Sequence, residues 1–329
     1  MSYRLFLISG IVTVVGLIGA YLWGGTKAFF ICGLLAILEV TLSFDNAVVN
    51  AKILKRMNAV WQKRFLTWGI LVAVFGTRVL LPVLIVAASV GMSPWLVTML
   101  ALNSPEEYAS MVADAHYAIG AFGGIFLLLV SLKYFFDTQK HVHWIHVIER
   151  HMVRWGSIEA IEIALALVSV CALSLLVDPT HQATVLFSGL VGAILFIIIE
   201  GIASSFDAEA KDVAGSSIAL FLYLNVLDSA FSLDGVVGAF ALSSDLVVIG
   251  IGLGIGAFFV RSLTIFLVRE RMLDTLPYLE HGAHWAIFGL AGAMLAGLLF
   301  HIPEIIIGLI GLLFVVLSYI SSKKEKQEG

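Results

Sequence analysis

Between Arg4 and Trp23 no residue after the first carries a charge, and about 20 consecutive apolar residues are what an α-helix needs to cross the hydrocarbon of a bilayer. The same kind of run recurs along the chain. The runs are Arg4 to Trp23, Ala28 to Asn50, Phe65 to Ala88, His116 to Phe136, Ile158 to Val177, Thr184 to Ile202, Ser217 to Leu242, Leu246 to Val268, His284 to Phe300 and Glu304 to Ile320. Ten helices of that length take roughly 200 residues. That is close to the whole apolar content of a 329-residue chain that is 60% hydrophobic and 13% charged. Soluble domains run about 45–50% apolar and about 25% charged, so a water-soluble globule, a disordered chain and a secreted disulfide scaffold all fit poorly. The reading is all-α: a polytopic transmembrane helical bundle of about ten spans, a single membrane domain over residues 1–329. The run from Glu304 is short enough to be re-entrant instead.

Thirty glycines against six prolines suit membrane helices. Cys32 and Cys171 both sit in apolar runs and read as two buried free thiols. The first run has no short apolar region followed by a cleavage site, so it reads as an uncleaved span. Basic residues set the orientation, because cytoplasmic loops carry the excess of Lys and Arg. With the N-terminus inside, only Lys27 of the 19 basic residues falls outside, and only Arg78 and Arg261 fall within spans. Both termini are therefore expected in the cytoplasm. The segment Gly91 to Ala115 has no basic residue but carries Glu106, Glu107 and Asp114, as an external loop can.

The chain repeats itself. EVTLSFDNAVV from Glu39 is matched by DSAFSLDGVV from Asp228, with an acid, a Ser four residues on and an Asp two further. The next spans share an aromatic-x-x-Arg, FGTR ending at Arg78 and FFVR ending at Arg261. The spans after those open AHYAI from Ala115 and AHWAI from Ala283. The second and seventh spans run in opposite directions, so the halves are inverted, residues 1–177 against 178–329. Many secondary transporters have this arrangement, with the site near the midplane between repeats.

Carboxylates at membrane depth are costly and mark functional sites by default. Glu39 and Asp228 lie near the middle of their spans. Asp45 is about 9 Å nearer the inside at 1.5 Å per residue, and Asp234 is displaced similarly toward the outside. Glu39, Ser43 and Asn46 share one helical stripe, and Asp228 and Ser232 form its counterpart, with Gly235 in place of the amide. SFDN and SLDG are both sequences that allow a helix to open locally and offer carbonyls. The candidate donors are all hard oxygens, which suit magnesium, calcium and manganese better than zinc or copper. Structural ion pairs are the alternative, with Arg78 and Arg261 neutralising two of the acids. Four acids against two arginines leave a surplus of negative charge, which a cation or protons would fill.

Weaker signals stay open. His141, His143, His146 and His151 near Glu149 make either an amphipathic connector or an ion-sensing cluster. Glu159 and Glu162 either favour a helix N-terminus or guard a cytoplasmic ion entrance, and Glu200 is interfacial. His116 and His284 are either polar packing or proton relays. The glycines of the fourth and eighth spans, Gly120 and Gly252 among them, read as helix packing. There is no nucleophile elbow, HExxH, Walker sequence or Cys-rich zinc motif, so neither an enzyme nor a nucleic-acid partner is expected.

The segments EVTLSFDNAVV and DSAFSLDGVV with the AHWA element resemble the TerC family of bacterial integral membrane proteins. The closer likeness is to its branch with the LSFDNAVVNA signature, and it spans roughly Ala28 to Ile320. That resemblance implies divalent cation efflux across the bacterial inner membrane, with manganese as the cargo and acids at Glu39, Asp45, Asp228 and Asp234 as ligands. Gly235, standing where the first repeat has Asn46, departs from the repeat. The expectation is a manganese exporter working in exchange for protons, with no tightly bound cofactor. Ser43, Asn46 and Ser232 complete the shell, and Arg78 and Arg261 balance the empty carboxylates. The rivals are a transporter of another cation or small solute, and a non-transporting membrane scaffold in metal or tellurite resistance.

Overall fold

A computed structural model describes residues 3–69, 72, 76, 80, 83–84, 86–87, 91–208, 213–243, 245–300 and 302–328. Helices account for the regular structure, and no strand occurs among the described residues. The order is α1 (Tyr3–Leu42), α2 (Phe44–Leu54), α3 (Ala59–Arg64), a π-helical turn (Phe65–Gly69), α4 (Pro94–Asn103), α5 (Pro105–Asp114), α6 (His116–Phe135) and α7 (His146–Trp155). Then come α8 (Ile161–Leu176), α9 (Gln182–Ala208), α10 (Val213–Leu242), α11 (Leu246–Arg269), α12 (Met272–Thr275), α13 (Leu279–Gly297) and α14 (Glu304–Glu328). The run expected from Phe65 to Ala88, with Arg78, lies largely outside the described residues.

Among the described residues, four stretches are long and apolar enough to cross a membrane: Leu5–Leu42, His116–Phe135, Gln182–Ile202 and Leu246–Arg269. Pro94–Asn103, Ile161–Leu176 and Ser217–Ser232 are shorter apolar helices. The count falls short of ten for physical reasons. The stretch Leu5–Leu42 contains two of the expected runs, broken where Gly24 and Gly25 leave helical geometry. Gly25 has φ +67°, a conformation that suits a residue without Cβ. The chain doubles back there, since Leu17 lies 3.9 Å from the Cβ position of Gly33. α13 carries Glu280, His281 and His284 in its first turns, and α14 continues as one helix to Glu328 rather than re-entering.

The bundle's outside is apolar. Leu7, Ile11, Val15, Ile18, Leu22, Phe30 and Ile37 of α1, and Phe187, Ile194 and Ile198 of α9, are all exposed. Apolar patches of that extent do not face water in a stable monomer, and they suit a multi-pass membrane protein. Cys171 belongs to this exposed surface. Only Cys32 is buried, which corrects the expectation of two buried thiols.

The connections sort into two ends. At one end Lys52 pairs with Glu280, Lys55 with Asp274, and the Tyr278 hydroxyl with Glu325. Asn58 N–H donates to Ser217 Oγ. These contacts join the Lys- and Arg-bearing loops after the second run and before α13 to the start of the seventh run and to the C-terminal helix. At the other end Trp23 Nε1 donates to Asp245 at 2.9 Å, Tyr108 meets Phe240 edge to face, and Tyr117 stacks on His181. The parity of the expected runs predicts the same partition.

Small residues set the helix spacing. A Cβ at Gly192 of α9 would collide with the Phe122 carbonyl of α6, whereas nothing lies within 4 Å of one at Gly250. Gly192→Ala should therefore force α6 and α9 apart and cost about 1–3 kcal/mol. Thermal unfolding in detergent should show a lowered midpoint for Gly192→Ala and an unchanged one for Gly250→Ala.

Candidate functional site

Glu39 sits on the last turns of α1, four residues before the helix is interrupted at Ser43 (φ −103°, ψ 16°). The interruption spans one residue. Ser43 N–H still bonds the Glu39 carbonyl at 3.0 Å, and Ala47 N–H bonds the Ser43 carbonyl at 3.2 Å. Ser43 Oγ does not cap α2. It donates to Glu39 Oε1 at 2.8 Å. The restart places Asp45 in the first turn of α2, where the helix N-terminus favours a carboxylate, and its Oδ1 accepts the Asn46 N–H at 2.9 Å. The second motif behaves differently: α10 runs through SLDG as one helix, so only SFDN opens.

Glu39, Asp45 and Asp228 are 1%, 3% and 8% exposed. Asn46 Nδ2 donates to Asp228 Oδ1 at 2.5 Å. On the other side, a Cβ at Gly235 would stand 3.2 Å from Glu39 Oε2. These two approaches are equivalent under the repeat: Asn46 follows Glu39 by the same interval as Gly235 follows Asp228. Each repeat thus sets its later residue against the other repeat's acid. Gly235 is small where its counterpart is an amide because the longer Glu39 side chain fills that place. A Cβ at Gly256 of α11 would also collide with Glu39 Cγ, so this glycine lets α11 close over the acid.

This register separates the two acids expected side by side. Asp228 lies level with Asn46, and Glu39 with Gly235. At 1.5 Å per residue the levels are about 10 Å apart. Asp45 adjoins the Asp228 level. Asp234 precedes Gly235 in sequence and so belongs to the turn beside Glu39; its side chain lies outside the described residues. Ser43 and Ser232 fall between the levels. Asn46 Oδ1, Asn50 Oδ1 and Ser232 Oγ are buried without a hydrogen-bond partner. Asn50 belongs to the LSFDNAVVNA signature but was given no role in the motif reading; its signal was its spacing, one helical turn beyond Asn46.

Arg261 does not neutralise the acids in the described structure. Its Nε donates to the Leu66 carbonyl at 2.6 Å, in the π-helical turn. Arg78 lies outside the described residues. Among the described residues no three His, Cys, Asp or Glu side chains converge on one point, so any ion held here takes amide and hydroxyl oxygens as well.

Space leads toward the site from both ends. A cavity of about 500 Å³ opens at the basic end, lined by Lys52, Arg56, Lys133, Glu159, Glu162 and Glu200 among others. This puts Glu159, Glu162 and Glu200 on its wall. Lys133 approaches Glu162 at 3.8 Å. At the other end a cavity of about 380 Å³ is lined by Lys27, Phe240 and Asp245. A void of about 10 Å³, bounded by Glu39, Gly235, Ala239 and Leu253, lies inward of it and has room for about one water.

The histidines divide. His143 and His146 have ring centroids 6.3 Å apart, edge to face. His116 Nε2 lies 3.2 Å from the Gly297 carbonyl, and His284 stacks on Tyr134. Glu149, expected beside a loop cluster, is instead fully buried. It meets His281 Nδ1 at 2.8 Å, Trp285 Nε1 at 3.0 Å and Lys140 at 3.2 Å, with further bonds from the Trp144 and Ile145 N–H groups. This cluster fastens amphipathic α7 to α13. Nothing in local sequence pairs residues this far apart.

Burial opposes ionisation of Glu149. The hydrogen bond and charge of His281, the Trp285 hydrogen bond and the Lys140 charge outweigh it and hold the carboxyl well below its ordinary value. A depressed acid stabilises above its unfolded pKa and loses that contribution as pH falls through the folded one. Glu149→Gln should cost on the order of 3 kcal/mol at neutral pH. Unfolding midpoints across pH should show the gap to the parent chain narrowing below about pH 4.5.

The family described as "protein of unknown function (DUF475)" matches residues 44–328. That match takes in Asp45, Asn46, Asp228, Asp234 and Arg261 and begins just after Glu39. No curated protein and no solved structure matches the chain. With most of its length matched, the chain belongs to the DUF475 family.

Proposed function

We propose that the chain is a ten-span secondary transporter of the bacterial inner membrane, with both termini cytoplasmic, that exports a divalent cation in exchange for protons. The resemblance to the TerC family favours manganese as the cargo. One observation carries the reading: carboxylates and unpartnered amide and hydroxyl oxygens are buried together on α1, α2 and α10, between cavities at the two ends. An unsatisfied buried polar atom costs about 1–3 kcal/mol, and a fold that keeps several of them within a few turns gains by offering them to a cation. Oxygen donors of this kind suit manganese, magnesium or calcium.

In this reading Asp45, Asn46 and Asp228 hold the ion at the level nearer the basic end, and Glu39 with Asp234 receives it at the other. Ser43 and Ser232 lie between. The inverted repeat supplies the two-state element, one half rocking against the other. Basic residues at the cavity do not bar a cation, since Lys52 is paired with Glu280 and Lys133 lies near Glu162.

Inside-out vesicles carrying the chain should take up manganese, and Asp45→Asn or Asp228→Asn should lower the rate at least about tenfold, the loss expected for a charged ligand. Cells lacking the protein should accumulate manganese, and Asp45→Asn should not correct this. Full correction by that variant would contradict the ligand assignment, and vesicles without flux would favour a scaffold.

A further inference from the structure

We propose that Asn50 is a cation ligand at the neck between the basic-end cavity and Asp228, an oxygen that strips water from the ion as it leaves the cavity. The inference deepens the transport reading above and rests on it.

Asn50 is 4% exposed, and its Oδ1 has no hydrogen-bond partner. It lies one turn beyond Asn46 on the same face of α2, and Asn46 is fixed against Asp228 by the 2.5 Å hydrogen bond. The helices run in opposite directions, so the level of Asn50 on α2 corresponds to that of Leu224 on α10. The cavity wall ends at Val49 and Ile53 on α2 and at Leu220 and Tyr223 on α10. Those wall residues offer no carboxylate or amide. Leu224 and Leu227, which continue α10 toward Asp228, are fully buried. An ion moving from the cavity to Asp228 therefore passes the Tyr223 hydroxyl at the cavity wall and meets the Asn50 amide among the leucines beyond it.

The chemistry fits that place. An amide oxygen is a hard ligand of the kind divalent cations accept. Being neutral, it offsets part of the dehydration cost without holding the ion as a carboxylate would, and conduction requires sites that are weak enough to leave. A purely structural asparagine in such a neck would spend its acceptor on a backbone or side-chain donor.

Purified chain in proteoliposomes, with manganese as the probe, tests this through initial rates against concentration. Asn50→Val removes the oxygen at similar volume. It should raise KM about tenfold, the worth of roughly one net polar contact, with maximal rate within about twofold and weaker discrimination of manganese from calcium. Asn50→Asp restores an oxygen and should bring KM to the parent value or below. Asn50→Gln covers the case in which the valine variant fails to fold. Parent KM and selectivity in a folded Asn50→Val chain would overturn the assignment. So would a valine defect that follows lost thermal stability and is not repaired by Asn50→Asp. If the parent chain itself carries no manganese, the transport reading fails. If the parent is active, Asp228→Asn is inactive and Asn50→Val is unchanged, Asn50 alone loses its role.

Discussion

The hydrogen bond from Asn46 to Asp228 ties the two repeats together at the most demanding place in the molecule. A carboxylate buried in an apolar bundle requires a partner. Here the first sequence repeat supplies a partner to the second, and the return approach, Glu39 against Gly235, joins positions that correspond under that repeat. Register, helix spacing and the position of every other polar group near the centre depend on this pair of approaches. Gly235 and Gly256 are small so that Glu39 can lie between α10 and α11. The helix is interrupted at Ser43 so that one hydroxyl serves Glu39 and a fresh helix N-terminus serves Asp45.

With the register set, the acids form levels rather than one cluster. The level of Asp228 lies nearer the basic end and that of Glu39 nearer the opposite end, with the serines between. Among the described residues no three acidic, His or Cys side chains converge on one point. At these levels carboxylates stand beside neutral amide and hydroxyl oxygens, and several of the neutral ones are unsatisfied. The Glu149 cluster is the opposite case. Its carboxylate is satisfied by several donors at once and holds α7 against α13 at the basic end. The contrast separates a polar group that fastens the fold from polar groups that keep unused acceptors.

Much of this was legible in the sequence, because hydropathy and periodicity are local signals. The apolar runs located α6, α8, α9, α10 and α11 to within about six residues, and the break between the runs ending at Trp23 and starting at Ala28 holds the first reversal. Charge parity separated the loops that join at each end. The repeat identified Glu39, Asp45 and Asp228, all of which are buried. The register between α2 and α10 was not legible, since helical spacing fixes which residues share a face and says nothing about which turn of a partner they meet. Gly235 looked like a lost ligand and proved to be room for Glu39. Arg261 read as a counter-charge, yet turns to a carbonyl in the π-helical turn. Glu149 looked like a loop residue because its partners, Lys140, His281 and Trp285, converge only through tertiary packing.

The central claim is that the oxygens between α2 and α10 hold a divalent cation. Diffraction from crystals grown with manganese, recorded at the manganese absorption edge, addresses it directly. The account predicts an anomalous peak bounded by Asp45, Asp228 and Asn46 Oδ1. Manganese found only at His141, His143, His146 and His151, on α7 and the segment before it, with that position empty, would contradict it.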